Sequence, residues 1–181
     1  MWALELDVPG LDACLQAARS RLDGLILPRY ERQPHVTVAF AGLAAQPGLT
    51  GYDDTHLIND LSRLRPLLVG AVDLRPSRWD SFPMVPYLRV DADWLAEAHR
   101  VLGGDWAEQM TYVPHITVGH WGGRWPKDLV LQRLDGPLPD GPWQVSALSL
   151  LRYETHDIAG PLDAVGKLDL TTGHWTGSSR H

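Results

Sequence analysis

The chain has 181 residues, of which 44% are hydrophobic and 21% charged, with a formal net charge of −6. That is enough apolar material for one packed domain and too much for a disordered chain. No apolar run approaches the roughly 18 residues of a membrane helix, and the acidic balance argues against a broad basic face for duplex DNA.

The one cysteine, Cys14, has no partner for an internal disulfide, which predicts a reducing, cytoplasmic setting. Met1 to Pro9 carries Glu5 and Asp7 and no basic cluster, unlike a secretory signal. The 17 glycines and 14 prolines predict many turns and short elements.

Trp2, Leu4, Leu6 and Val8 alternate with Ala3, Glu5 and Asp7, the period of a half-buried strand. Leu11, Cys14, Leu15, Ala18 and Leu22 then recur at helical spacing, with Gly24 placed for a C-cap. A loop with Pro28, Arg29, Arg32 and Pro34 leads into a strand over His35 to Phe40, and Gly42 to Gly51 is rich in turn residues. Asp53 or Asp54 caps a second helix with Leu57, Ile58, Leu61 and Leu64 on one face, closed by Pro66. Leu67 to Leu74 and Val85 to Val90 read as strands joined by a connection over Arg75 to Pro83. Asp91 or Asp93 caps a third helix, with Leu95, Ala98, His99 and Leu102 on its buried side and Gly103-Gly104 at its end. His115 to Trp121 reads as a strand and Gly122 to Gly141 mostly as loop. Val145 to Glu154 and Leu162 to Leu170 read as closing strands. The expected organisation is a single bilobal domain over residues 1–170 and a polar C-terminal tail over 171–181, frayed apart from Trp175.

Within this outline lies a short repeat. Residues 34–42 read PHVTVAFAG and residues 114–122 read PHITVGHWG, identical at five of nine positions, with the histidines 80 residues apart. In a strand, residues i and i+2 share a face, so His35 projects with Thr37 and His115 with Thr117, roughly 7 Å apart at the backbone. Val36, Val38 and Phe40, and likewise Ile116 and Val118, face the other way into the core. Packed with pseudo-two-fold symmetry, the two strands would bring two imidazoles and two hydroxyls around one small ligand.

That set suits a phosphodiester. One imidazole can take a proton from the attacking oxygen while the other gives one to the leaving oxygen. The hydroxyls can donate to non-bridging phosphate oxygens, and a protonated imidazole offsets phosphoryl charge without a metal.

The paired His-x-Thr strands resemble those of the two-histidine (2H) phosphoesterase superfamily, which includes the bacterial 2′-5′ RNA ligase-like proteins. The resemblance extends over about residues 2–170, through the opening WALELDVPG and the late VSALSLLRYET and PLDAVGKLDL. It implies an α+β bilobal fold in which two pseudo-symmetric antiparallel sheets, flanked by helices, enclose a central cleft. It also implies catalytic roles for His35, Thr37, His115 and Thr117. The reaction implied is opening or transfer at 2′,3′-cyclic phosphates or 2′-5′ phosphodiester linkages, with no cofactor. The expected substrate is an RNA end or a small cyclic or 2′-5′-linked nucleotide, handled by a monomer.

Other readings find less support in the sequence. His115 and His120 are five apart and face opposite sides of a strand, and neither HExxH nor paired CxxC occurs, so no metal site is expected. His56, His99, His156, His174 and His181 read as ordinary. Tyr153, Trp121 and Arg124 are the candidates for contacting substrate beyond the motifs, and Arg29, Arg32, Arg75, Arg78, Lys127 and Arg152 fall in loops or near motifs where one or two could steer a phosphate. ATP-dependent ligation finds no support, since there is no GxxxxGK[ST] loop. The alternatives are a nucleotide- or RNA-end-binding module with little turnover, or the same chemistry on a cyclic oligonucleotide or 2′-5′ oligoadenylate signal.

Overall fold

The computed structural model describes residues 1–44, 51–104, 107 and 111–177. Part of the turn-rich stretch expected over 42–51 and the tail beyond 177 fall outside the described residues. Among those described, nine strands and four helices follow in order, with a 3₁₀ turn at Arg65–Leu67: β1 (Trp2–Glu5), α1 (Leu11–Arg21), β2 (His35–Ala39), α2 (Asp54–Leu64), β3 (Val72–Ser81), β4 (Pro86–Asp91), α3 (Asp93–Gly103), β5 (His115–Thr117), α4 (Lys127–Leu134), β6 (Trp143–Val145), β7 (Ala147–Arg152), β8 (Asp163–Asp169) and β9 (Trp175–Gly177).

The strands form two antiparallel sheets, ordered β2-β1-β7-β8-β9 and β5-β4-β3-β6. The fold is α+β, and the sequence repeat is now visible as a structural one. The unit β1-α1-β2 corresponds to β4-α3-β5, each a strand, a helix and a returning motif strand. Both motif strands are edge strands, and they run side by side where the two sheets meet.

Each sheet buries one face under helices. Trp2, Leu4, Val36, Val38, Leu88, Val90, Ile116 and Val118 are buried in one continuous core. Burying a side chain of this size contributes roughly 1.5–3 kcal/mol, so the apolar residues of each motif fix the face on which its histidine must emerge. α3 packs on β2, α2 on α3, α4 on β3 and α1 on α4.

Several expected elements differ. Phe40 lies past the end of β2 and is 60% exposed, and Ile58 is 66% exposed, because only Leu57 and Leu64 of α2 are buried. Asp53 does cap α2, its carboxylate accepting from the His56 N–H at 3.0 Å. α3 instead follows Ala92 with no side-chain cap. The connection expected over 75–83 is mostly strand, since β3 runs unbroken through Arg75 and Pro76. Beyond Leu74 β3 pairs only with β4, and a register shift falls between Pro76 and Arg78. At such a half-free, bulged position proline's missing N–H costs little.

The loop expected over 122–141 contains α4, whose Val130 and Leu134 are buried. The strand expected over 145–154 is two strands: β6 pairs with β3, whereas β7 pairs with β1 and β8. Ser146 thus marks the point where the chain steps from one sheet to the other. In the expected frayed tail, β9 pairs with β8 and Trp175 meets Trp2 edge-on at 5.7 Å.

Candidate active site

His35 and Thr37 leave β2 on the face opposite Val36 and Val38, and β5 presents His115 and Thr117 in the same way. The two imidazoles are anchored identically. His35 Nδ1 lies 2.7 Å from the Gln33 carbonyl and His115 Nδ1 lies 2.7 Å from the Val113 carbonyl, each two residues upstream. A carbonyl oxygen only accepts, so Nδ1 carries the hydrogen in both rings. Nε2 is then the titrating nitrogen, and in both residues it has no partner among the described residues and is reachable by solvent.

Burial holds the His35 pKa below the ordinary imidazole value. The Gln33 carbonyl and Glu5 oppose this, while Arg32 and His115 add to it. The influence of His115 on His35 places the two within electrostatic reach where β2 and β5 lie side by side. His115 is likewise lowered by burial, against the pull of the Val113 carbonyl. Both rings therefore lose their second proton easily, and each remains ready to regain one when an anion sits between them.

The two sides differ in what lies next to each histidine. Glu5 is the cross-strand partner of His35. Its Oε1 accepts from Ser149 Oγ at 2.6 Å and from Lys167 Nζ at 3.0 Å. Burial pushes the Glu5 carboxyl up, but these two donors outweigh it and keep Glu5 ionised. His115 lies instead against aromatic rings. Phe82 and Tyr87 stand 5.1 Å away from it by ring centroid and stack on each other at 4.3 Å. Tyr87 is the cross-strand partner of Thr117.

The lobes also hold one another's motif strands. From α3 and the segment after it, His99 Nδ1 meets the Val38 carbonyl at 2.6 Å, and Tyr112 donates to the Thr37 carbonyl at 2.8 Å, the two rings stacked at 4.0 Å. From α1, Arg19 Nε donates to the Val118 carbonyl at 2.7 Å and lies over Tyr30, whose hydroxyl meets Thr117. Val38 and Val118 are equivalent positions, three past each histidine. The two clamps are pseudo-symmetric, and each ties the exposed edge of a motif strand to the opposite lobe. His99, read from the sequence as ordinary, has this structural task. Tyr112→Phe leaves the Thr37 carbonyl without its donor, so a loss of about 1–3 kcal/mol is expected, read as a melting point roughly 3–8 °C lower. An unchanged melting point would show that the clamp carries no energy.

Of the other sequence candidates, Tyr153 packs with Met1, Ala3, Leu151 and Leu162 and lies under the Arg32 guanidinium at 4.5 Å. Trp121 donates from Nε1 to the Phe82 carbonyl at 3.2 Å and from its backbone to the Met84 carbonyl, so it braces the β3–β4 turn from behind. Arg124 is exposed and makes no hydrogen bond or ion pair among the described residues. His120 binds the Ile158 carbonyl through Nε2 at 3.1 Å. No group of three His, Cys, Asp or Glu side chains gathers as a metal site among the described residues.

The family model of the 2′-5′ RNA ligase superfamily matches residues 8–157, which include both motif strands. The chain belongs to this superfamily. A solved structure, the crystal structure of TT0787 of Thermus thermophilus, is similar with a TM-score of 0.53 and 18% identity, covering 96% of this chain and 98% of that one. It shows the same fold over nearly the whole length. No curated protein matches the sequence. The resemblance to two-histidine phosphoesterases holds at the level of family and fold. The superfamily is generally enzymatic, with chemistry of phosphoesterase or ligase type. No helix among the described residues is long and apolar enough to cross a membrane.

Proposed function

We propose that this superfamily member is a metal-independent phosphoesterase that opens RNA 2′,3′-cyclic phosphate ends or small cyclic or 2′-5′-linked nucleotides, acting as a monomer. The observation that carries this reading is the pair of imidazoles on neighbouring strands, each fixed through Nδ1 and each with an Nε2 that has no partner among the described residues. In the hydrolytic direction water attacks phosphorus and loses its proton to one Nε2. The bond from phosphorus to one ribose oxygen breaks, and that oxygen takes its proton from the other Nε2. Thr37 and Thr117 donate to the non-bridging oxygens as charge gathers there. The same step with a ribose 5′-hydroxyl in place of water joins ends through a 2′-5′ linkage, the 3′-oxygen leaving as a hydroxyl, and its reversal cleaves that linkage.

The Phe82 and Tyr87 rings beside His115 support a nucleotide substrate, since an aromatic face suits a base. The net charge of −6 favours a short substrate over a long polyanion. The test is turnover of a panel of 2′,3′-cyclic mononucleotides, 2′-5′ dinucleotides and cyclic-phosphate-ended RNA, with EDTA present and products identified as 2′- or 3′-phosphates. Conversion of at least one member to a single phosphate isomer is expected. Stoichiometric binding without product would favour a nucleotide-binding module instead, and activity abolished by EDTA would overturn the metal-independent mechanism.

A further inference from the structure

Most cations near the cleft are already neutralised. Arg29 pairs with Glu31 and Asp157, Arg89 with Asp91, Lys167 with Glu5, and both Arg78 and Lys127 with Asp80. Arg32 is different. It stands three residues before His35, and among the described residues it forms no ion pair and no hydrogen bond. Its Nε is buried without an acceptor, whereas its terminal nitrogens are reachable by solvent. Its guanidinium carbon lies over the Tyr153 ring, 4.5 Å from the centroid.

Among the described residues no carboxylate lies within ion-pair distance of Arg32. Its field is felt at His35, Tyr30 and His120. His120 sits 5.5 Å from Tyr30 by ring centroid, and its Nδ1 is a second buried nitrogen with no partner among the described residues. Tyr30 in turn meets Thr117. The corner therefore bears on both motifs, on His35 through the Arg32 charge and on Thr117 through Tyr30. Leaving a half-buried guanidinium unpaired costs free energy. A planar fork with free terminal donors matches two oxygens of a phosphoryl group.

We propose that Arg32 binds the phosphoryl group of a nucleotide in the cleft, its terminal nitrogens on non-bridging oxygens and its guanidinium carbon over Tyr153. This rests on the nucleotide phosphoesterase reading above and adds to it a cation that contacts the substrate. Arg32→Met keeps an aliphatic stem against Tyr153 and removes the charge. Arg32→Lys keeps the charge and loses the fork. Arg29→Met is the control, removing a cation already paired with carboxylates.

The measurements are the Kd for adenosine 3′-monophosphate by calorimetry at low and high KCl, and kcat/KM for 2′,3′-cyclic AMP. Arg32→Met is expected to weaken binding at least ~10-fold, to flatten its salt dependence, and to lower kcat/KM at least ~30-fold. Arg32→Lys should recover part of each loss, and Arg29→Met should stay within about twofold of wild type. A merely structural arginine would leave the salt dependence unchanged. Arg32→Met that binds the nucleotide like wild type, or wild-type protein that binds none, would overturn the assignment. Wild-type protein that binds through Arg32 but opens no cyclic phosphate would sink the proposed reaction while leaving the anion site standing.

Discussion

His35→Ala and His115→Ala are each expected to lower kcat for cyclic-phosphate opening at least ~100-fold, the usual scale for a positioned acid or base. The double variant should be little worse than the poorer single one, because the two groups act in one step. Alanine at position 35 also strands the Gln33 carbonyl, which His35 Nδ1 now satisfies at 2.7 Å. His35→Asn separates the two effects. An asparagine amide can reach the position of Nδ1 and restore that hydrogen bond, but it supplies no titrating group at Nε2. The asparagine variants should therefore melt close to wild type and remain as inactive as the alanine variants. Steady-state turnover of 2′,3′-cyclic AMP beside thermal melts checks this. An active, well-folded His35→Asn would remove His35 from the chemistry.

Thr37→Val and Thr117→Val are the next largest. Valine keeps the shape and the strand preference and deletes a donor aimed at the developing negative charge. Such a donor is worth roughly 100- to 1,000-fold in kcat. The two losses should differ. Beside Thr117 stands the Tyr30 hydroxyl, which can turn to the phosphate when the threonine is gone. Among the described residues the Thr37 hydroxyl is bonded to the Met1 sulfur alone, at 3.8 Å, and a thioether cannot donate. Thr37→Val should thus be the slower enzyme by several-fold, with KM little changed in either. Equal activity to wild type in both would show that the hydroxyls do not touch the transition state.

The duplicated PH[VI]TV was legible because strand periodicity alone puts His and Thr on one face and the aliphatic residues on the other. Val36, Val38, Ile116 and Val118 are buried as that periodicity requires. The surroundings of the motifs were not legible, since they depend on register between segments far apart in the chain. Alternation places Glu5 on the cleft face of β1, but nothing in the sequence says that it stands opposite His35. Tyr30, Tyr112, Phe82 and Arg19 lie in loops or on a helix without a repeat to mark them. Their partners are set by packing and stand far off in the chain, 75 positions away for Tyr112 and 99 for Arg19.

The same limit explains the misread elements. Pro76 reads as a break until the half-free edge of β3 is known. The run through Ser146 reads as one strand because both of its halves alternate, and only the sheets it joins reveal the step. In α4, Val130 and Leu134 do stand four apart after Pro126, which is a helical signal, but eight residues are too few for it to stand out from a loop rich in Gly and Pro.

The most direct measurement is the pH–rate profile of 2′,3′-cyclic AMP hydrolysis in EDTA, for wild type and for His35→Asn and His115→Asn. One imidazole must be charged and the other neutral, so the wild-type kcat/KM should be bell-shaped. Burial lowers both pKa values, and a lowered imidazole pKa moves both limbs down, so the maximum should fall on the acid side of the ordinary imidazole value of about 6.5. Each asparagine variant should lose one limb along with most of its rate. A flat profile, or variants that keep the full bell at the wild-type rate, would contradict two-histidine catalysis in this cleft.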